Sequence, residues 1–381
     1  MSFPTQITVS PVSGSRQLSL FIKLPRKLYD GLPGYLPPLD LEERSMLSPR
    51  KAPFFEHGFA CYFLAWRNGK PIGRISAQID SFVLHQPGPR TGFFGALDTT
   101  EPKCIPLLLD AATVWLKKRG IERIRGPWTL NSNGQSGVMI EGQNEIPMIG
   151  TPWHPATIAP ALEQAGFHKA VDLLSYRMET GPQAEQANQI PANLRQRLGN
   201  ITMRGLRLKH VDEDAEILRE IYNDAWDGTW GNVPLTSNEV QSLLKALKPI
   251  LRPAQYVLAE VEGEPAAIAL VVPNMFDVSK DLGGAPTPLG WLKLGSRILK
   301  HDFHSARVVL LGVRKKYLGT ALRAMLPVLI IDELMQRGHE LPYRTIELGW
   351  VLETHEGLRK LIERIAPTPY KRHRMFEKIL D

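Results

Sequence analysis

The sequence predicts a mixed α/β protein in which one arrangement of strands and helices is used twice. Three observations carry this. Apolar runs of strand period alternate with amphipathic stretches of helical period along the chain. The order strand, helical region, hairpin, strand, helix, strand, helix, strand recurs in 6–180 and in 200–381. A polar stretch without apolar periodicity, TGPQAEQANQIPAN, lies between them. The recurrence is one of element order, not of residues. The expected division is 1–185 and 186–381.

In the first half, QITVSPV reads as a short strand and LSLFIKLPRKLYD as partly helical. CYFLAWRNGKPIGRISAQID reads as two strands joined at Asn68-Gly69, a dipeptide that tolerates the left-handed backbone of a tight hairpin. TGFFGALD is a strand, PLLLDAATVWLKKRG a helix stopped by Gly120, and IERIRGPWTL a returning strand. ATIAPALEQAGF is a helix closed by Gly166, and LLSYRME a final strand.

The second half repeats the order. ITMRGLRLKHV is a strand, AEILREIYNDAW and NEVQSLLKALKPIL are helices, and QYVLAEVEGEPAAIALVV is a hairpin about Glu262-Gly263. SARVVLLGV is a strand and 319–337 a helix. RTIELGWVL, HEGLRKLIERI and YKRHRMFEKIL are strand, helix and closing strand. Pro327 inside the 319–337 helix predicts a kink or an irregular turn.

Composition limits the function classes. With 43% hydrophobic and 22% charged residues, the 381-residue chain can bury sizeable cores. The net charge of +7 favours anionic partners, phosphate-bearing cofactors and anionic lipid among them. No basic stripe with interleaved aromatics occurs, which argues against nucleic acid. Two cysteines, Cys61 and Cys104, form no CxxC pair, so neither a disulfide framework nor structural zinc is expected. The first residues lack an apolar signal core, and no apolar run reaches the roughly 18 residues a spanning helix needs. The expectation is a protein that is cytoplasmic or attached to the inner face of the cytoplasmic membrane.

One stretch concentrates charge at a strand-to-helix corner: VVLLGVRKKYLGTALRAML, residues 308–326. The first N–H groups of a helix lack internal partners and sit at the positive end of its dipole. Gly319 lets a phosphate approach those groups, and Arg314, Lys315 and Lys316 surround it with cations. A diphosphate carrier suits such a corner. The alternative is a solvated basic turn between a buried strand and its helix.

The corner and the element order resemble the general N-acetyltransferase superfamily, GNAT. There a turn of pattern Arg/Gln-x-x-Gly-x-Gly/Ala opens the helix that holds the pyrophosphate of acyl-coenzyme A. Read from Arg314, Tyr317 stands at the first Gly and Gly319 at the second; read from Lys316, Gly319 and Ala321 complete Lys-x-x-Gly-x-Ala. The resemblance implies two tandem GNAT-like acyl-CoA N-acyltransferase domains on α/β mixed sheets. It implies a carrier held by Val313, Arg314, Lys315, Lys316, Leu318, Gly319, Thr320 and Ala321. The matching corner of the first half, Thr99 to Lys103, is acidic and bears Pro102, so that unit is expected to shape a substrate cleft without cofactor.

A narrower resemblance runs through LPGYLPPLDLEERSMLSPRKAPFFEH, RIRGPWTLNSNGQSGVMIEG, NDAWDGTWGNVPLT, IELGWVLE and YKRHRMFEK. It is to a bacterial family of double-GNAT proteins that includes a ceramide synthase. This implies transfer of a fatty acyl group to the amine of a sphingoid long-chain base, with acyl-CoA as co-substrate and no metal. An acetyltransferase acting on another small-molecule or peptide amine, and a non-catalytic acyl-CoA or lipid-binding protein, remain the alternatives.

Other stretches supply candidates. Asn131 and Asn133 stand in a polar cluster after a strand and could meet a hydroxylated head group, or could simply build a turn. Trp230 lies in a loop fit for an acyl-chain wall, while Trp226 reads as core. Trp291 belongs to a basic amphipathic stretch, TPLGWLKLGSRILKHDF, suited either to an anionic membrane interface or to a packed surface helix. N-acylation needs a neutral amine, so a base must take a proton from the ammonium. Glu347 and His355 are the base candidates and Tyr317 and Tyr370 the acids; Glu347 could equally pair with an Arg, and His355 could cap the 356–366 helix.

Overall fold

The computed structural model describes residues 6–180, 201–338 and 341–380. The division expected at 185/186 lies outside the described residues. The strands are β1 (Thr8–Pro11), β2 (Gly58–Arg67), β3 (Lys70–Asp80), β4 (Thr91–Thr99), β5 (Arg123–Gly126), β6 (Val138–Glu141), β7 (His168–Glu179), β8 (Ile201–Arg204), β9 (Tyr256–Val261), β10 (Glu264–Pro273), β11 (Ser305–Val313), β12 (Thr345–Leu352) and β13 (Pro369–Ile379). Among the described residues they form one 13-stranded sheet in the order β1-β2-β3-β4-β5-β13-β7-β12-β11-β10-β9-β8, with β6 on β13 beside this path.

Both hairpins form where the dipeptides place them. Asn68 and Gly69 have φ of 50° and 70°, and Glu262 and Gly263 have 54° and 81°. Two successive left-handed residues give the turn whose twist matches the strands. The expected strand at IERIRGPWTL is shorter: β5 stops at Gly126, because Pro127 has no N–H to extend the ladder. The amphipathic stretch after Thr287 forms the helix Pro288–Leu299, while the helix Asp40–Leu47 and strand β6 go beyond the periodic elements read from the sequence.

The centre of the sheet holds an exchange that element order cannot show. The chain's last strand, β13, sits between β5 and β7, within the first half. In turn β7, the last strand of the first half, pairs with β12 of the second, from Thr345↔Glu179 to Leu352↔Leu173. Each half is thus completed by a strand next to, or from, the other, and the site lies along this seam.

Packing follows the two faces. Leu108, Ala112 and Leu116 of the helix Ile105–Lys117 bury against Ile75, Ala77 and Ile79. Phe21, Ile22 and Leu24 of the helix Gly14–Leu28 bury on Tyr62 and Leu64. In the second half the helices Val211–Trp226 and Ser237–Leu247 cover Leu258, Ile268, Leu270 and Leu310. The helix Ala321–Gly338 covers Val257, Ala267, Ala269 and Val313 through Leu326 and Ile330. Each fully buried side chain of this size contributes about 1.5–3 kcal/mol, so these four layers hold the sheet rigid around the seam.

Candidate active site

The parallel strands β11 and β12 pair only at their starts. Ser305↔Thr345, Ala306↔Ile346, Arg307↔Glu347 and Val308↔Leu348 are in register, and the ladder then ends. β11 continues on β10 up to Val313↔Ala267, while β12 shifts register after Leu348 and continues on β7. The strands part, and Val309 to Val313 line a cavity of about 1750 Å³. Val309, 40% exposed although it is mid-sheet, lies on this free edge.

The cavity is walled by both halves. Ala324, Val328, Ile331 and Met335 of the helix Ala321–Gly338 line it with i, i+4, i+7, i+11 spacing. That helix therefore carries a second apolar stripe beside the core stripe of Leu322, Leu326 and Leu329. The helix runs through Pro327, which also lines the cavity. Trp226 lines it too, stacked on Tyr222 with ring centroids 4.9 Å apart. A Cβ on Gly312 would lie 2.4 Å from the Trp226 ring, so a larger residue there would push the indole off β11.

At the corner, Gly319 has φ +77° and open space where a Cβ would be. The N–H of Thr320 donates to the Tyr317 carbonyl, and that of Arg323 to Thr320. Among the described residues the N–H groups of Gly319, Ala321 and Leu322 meet no backbone acceptor. They are the orphan donors a helix start offers an anion. Thr320 Oγ1 donates to the Tyr317 carbonyl at 2.7 Å, and Arg323 Nη1 donates to that of Val313 at 2.8 Å, which fixes the turn. Leu318 is 58% exposed.

Each of the three cations at the corner has a carboxylate partner. Arg314 pairs with Glu220 at 2.8 Å, Lys315 with Asp227 at 2.7 Å, and Lys316 with Glu264. The Lys315 N–H also donates to Asp224 at 2.6 Å. These are solvent-exposed pairs, which water and salt weaken, so an arriving phosphate can compete for each cation.

The first half has the same parting of strands, but it is closed. β4 and β5 pair at Thr91↔Arg123, Gly92↔Ile124 and Phe93↔Arg125. The Trp128 N–H then donates to the Phe94 carbonyl at 2.8 Å, and Gln78 Nε2 donates to the Trp128 carbonyl at 2.6 Å. A Cβ on Gly95 would lie 1.7 Å from that same carbonyl oxygen, so the segment after β5 fills the gap. Pro106 also removes one of the amides at the following helix start.

The base and acid candidates need correction. Glu347 is 1% exposed and held between charges: Tyr370 Oη donates to its Oε2 at 2.6 Å, Lys371 Nζ lies 3.3 Å from the same oxygen, and Arg307 Nε lies 3.1 Å from Oε1, which accepts no hydrogen bond. Burial alone would raise its pKa, but Lys371 and Arg307, with the Tyr370 hydrogen bond, hold it below the usual carboxylate range. A carboxylate kept charged by two cations is a poor base. His355 caps the helix Glu356–Ile362, its Nδ1 accepting from the Leu358 N–H at 3.2 Å, and it lies at the cavity wall. Tyr317 is 9% exposed and packs in the core with Val313, Leu326 and Ile330, so its ring is structural. Tyr370, bound to Glu347, is likewise no free acid.

The polar loop divides. Asn133 lines the cavity, and Tyr222 Oη donates to its Oδ1 at 2.7 Å. Asn131 is 4% exposed and turns away, its Nδ2 reaching Asp80 at 3.4 Å and Glu239 at 3.5 Å. Trp230 lines the cavity against Trp128, with centroids 5.8 Å apart, and the Arg125 guanidinium covers its ring at 4.7 Å. Trp291 stands outside the cavity, 42% exposed on the helix Pro288–Leu299.

A polar pocket in the cavity's first-half wall escapes sequence reasoning. Arg74 Nε donates to Asp98 at 2.7 Å, its Nη1 donates to the Phe21 carbonyl at 2.9 Å, and Glu43 lies 3.8 Å from its Nη2. Tyr29, Tyr35, Glu42 and His154 join them at the wall. The residues come from two helices, two strands and two loops, so no spacing announces them. Their only local signal is the acidic stretch LDLEERSML beside Tyr35.

No family model matches the chain, but whole proteins do. It is 34% identical to protein YghO of Escherichia coli K12 over 366 residues, covering 95% of this chain and 92% of that one. It is 33% identical to the bacterial ceramide synthase of Caulobacter vibrioides over 382 residues, covering 98% of each. In structure it is similar to a tandem GNAT protein from the clavulanic acid biosynthesis pathway, with TM-score 0.58, 13% identity and 98% of each chain covered. A GCN5-related N-acetyltransferase from Sphaerobacter thermophilus superposes with TM-score 0.52 and 15% identity, covering 99% of this chain and 97% of that one. These two likenesses concern the fold, a tandem GNAT whose strand exchange and parted strands are described above. With a relative at this identity along its whole length, the chain belongs to the double-GNAT acyltransferase family that includes the bacterial ceramide synthase.

Proposed function

We propose that the protein transfers a fatty acyl group from acyl-coenzyme A to the amine of a sphingoid long-chain base. The observation that carries this reading is the parting of β11 and β12 into an apolar cavity of about 1750 Å³ shared by both halves. Pockets for one drug-sized ligand measure about 300–1,000 Å³, so this one has room for two long chains. The name of the Caulobacter relative supports the choice of amine.

In this reading the second half, 186–381, holds the carrier. Its diphosphate lies on the amides of Gly319, Ala321 and Leu322, and Arg314, Lys315 and Lys316 exchange their surface carboxylates for phosphate oxygens. The thioester arm passes along the free edge of β11, where an N–H can receive the charge that develops on the carbonyl oxygen. The first half, 1–185, with its closed gap, takes no carrier and walls the acceptor. Among the described residues no group of three or more His, Cys, Asp or Glu could hold a metal ion.

A lipid acceptor must be drawn from a bilayer. No described helix is long and apolar enough to cross one. The helix Pro288–Leu299 instead offers a surface: Leu289, Leu292 and Leu299 are 77%, 71% and 82% exposed, beside Trp291. Lys293 and Arg297 of this helix, which share Asp281 as an exposed partner, and Lys300 at its C-cap complement anionic head groups. Its Ile298 lines the cavity, so the helix joins membrane to site at the cytoplasmic face.

The test is direct. Palmitoyl-coenzyme A is incubated with the protein and a panel of amines, and free coenzyme A is measured. Release that requires a sphingoid base is the expected result. Release only from a short acyl donor, or none with any amine, overturns the proposal.

A further inference from the structure

The polar pocket of the first half is not used by anything described so far. Four carboxylates, Asp40, Glu42, Glu43 and Asp98, line that end of the cavity, with two guanidiniums, Arg26 and Arg74. Arg26 is bound to Asp40 at 3.1 Å and Arg74 to Asp98 at 2.7 Å. That leaves Glu42 and Glu43 in excess. Glu43 is 6% exposed, with only the 3.8 Å approach of Arg74. Glu42 is exposed at the cavity's edge, and its carboxylate makes no hydrogen bond or ion pair among the described residues. Burying the Glu43 charge with one distant cation is costly unless a second cation completes it.

Two neutral groups beside the carboxylates also lack partners. His154 is 4% exposed, and its Nδ1 accepts from the Met139 N–H at 3.3 Å. The proton of the neutral ring therefore sits on Nε2, which has no acceptor among the described residues. The Tyr35 hydroxyl is buried without a partner. A donor and a hydroxyl beside excess carboxylate suit a head group that carries an ammonium and hydroxyls.

The pocket is connected to the parted strands. Arg307, on the third rung of β11 and β12, donates from Nη1 to the Ile149 carbonyl at 2.8 Å. The wall then runs through Gly150, Thr151 and Pro152 to Trp153 and His154. Trp153 packs edge-on against Tyr29 at 5.1 Å and Tyr35 at 5.4 Å. Five residue steps span at most ~18 Å.

We propose that this pocket receives the ammonium head of the acceptor, with Glu43 and Tyr35 holding it and Glu42 taking its proton. The inference rests on the transferase reading and names the acceptor site within it. Partial desolvation at the cavity's edge, then the charge of Glu43, raises the Glu42 pKa to about 7, which suits a group that must exchange protons with solvent near neutrality. Burial likewise raises Glu43 against the pull of Arg74, and burial lowers His154 to about 4, which keeps it neutral.

The step balances. The Glu42 carboxylate takes one proton from the ammonium, and the nitrogen lone pair forms the C–N bond at the thioester carbonyl. The C–S bond breaks, the second N–H proton goes to the leaving sulfur, and Glu42 returns its proton to solvent. The products are the amide, a free thiol and one proton.

Sphinganine binding to the full chain is titrated by tryptophan fluorescence, and palmitoyl-coenzyme A binding by calorimetry. Glu42→Gln and Glu43→Gln are expected to weaken sphinganine by about tenfold or more through loss of a desolvated charge contact, leaving palmitoyl-coenzyme A binding as in wild type. Glu42→Gln also lowers kcat/KM by roughly 10²–10⁴-fold and removes its rise with pH through neutrality. Tyr35→Phe, which deletes one hydroxyl, weakens sphinganine several-fold without moving the unfolding midpoint. Unchanged sphinganine affinity in both carboxamide variants, with palmitoyl-coenzyme A still bound, overturns the site. Wild type that binds sphinganine here yet releases no coenzyme A from any donor sinks the transferase reading alone and leaves the ammonium site standing.

Discussion

Arg307 and Glu347 face each other on the third of the four rungs that join β11 to β12, one rung before the strands part, with Arg307 Nε 3.1 Å from the carboxylate. Arg307 Nε also donates to the Gly349 carbonyl at 2.9 Å, at the shift in β12, and its Nη1 reaches Ile149 of the first half. Lys371 of β13 closes the cluster from the exchanged strand. The pair is thus a rivet at the foot of the cavity, joining three strands and one loop.

Glu347→Gln is therefore expected to act on stability. Removing one partner from a buried ion cluster costs about 3–5 kcal/mol. Because the folded pKa of Glu347 lies below its unfolded value, its contribution is fully present above an unfolded pKa of about 4.3. It is lost as pH falls through the lower folded value. Urea unfolding at several pH values should show the gap between wild type and variant narrow toward acid. The pH profile of transfer should keep its shape; a lost limb would return Glu347 to the role of base.

Gly319 tests the carrier. A Cβ there meets open space, so a side chain is strained only through its φ of +77°, a cost of about 1–2 kcal/mol for a non-glycine residue. Gly319→Ala should lose about that much stability and little affinity. Gly319→Glu places a carboxylate among the amides that await phosphate, and palmitoyl-coenzyme A affinity should fall by at least about tenfold. Equal affinities for wild type and the Glu variant, measured by calorimetry, would place the diphosphate elsewhere.

His57 joins the halves. Its Nδ1 lies 3.3 Å from Asp80 and its Nε2 lies 3.2 Å from Glu239 of the helix Ser237–Leu247. Burial opposes its charge, but the hydrogen bonds to Asp80 and Glu239 outweigh this and raise the pKa to about 9. A raised pKa contributes stability that is complete below an unfolded value of about 6.5 and is lost as pH rises through about 9. The size of the shift corresponds to roughly 3 kcal/mol. His57→Gln should lower the melting temperature near neutral pH, with the difference from wild type vanishing above about pH 10. A difference that stays constant with pH would mean the imidazole is neutral.

These residues show what the sequence could reveal. Asn68-Gly69 and Glu262-Gly263 fix their hairpins through local backbone chemistry, and the apolar period of 105–117 fixes its helix. Both are local signals, and the element order they give is enough to indicate a repeated fold. The exchange of β7 and β13 is not local, because a strand's neighbours are chosen by the closing of the whole sheet. Nor could period alone show that Ala324, Val328, Ile331 and Met335 face a cavity while Leu326 and Leu329 face the core, since both stripes are apolar. From the sequence Glu347 reads as a base because it stands in the strand beside the corner. Its three partners come from β11 and β13, and only the assembled sheet reveals that they occupy it. Tyr35, Glu42, Glu43, Arg74, Asp98 and His154 were invisible together for the same reason.

Membrane contact can be read from the helix Pro288–Leu299, and the structure decides which residues to change. Leu294, apolar and three positions after Trp291, is 3% exposed and belongs to the core. Replacing it with Glu would damage the fold and say nothing of lipid. Leu292 and Leu299 are 71% and 82% exposed and lie seven positions apart, on one side of the helix. Each leucine that leaves water for acyl chains gains about 1.5–3 kcal/mol, so Leu292→Glu with Leu299→Glu should lower binding to phosphatidylglycerol vesicles by more than about tenfold in sedimentation. The melting temperature should change little, because both side chains lie mostly in water. Raising the salt should weaken the wild type only in part, since screening removes the contribution of Lys293, Arg297 and Lys300 and leaves that of the leucines. Vesicle binding equal in wild type and double variant would show that the protein meets its lipid through another face.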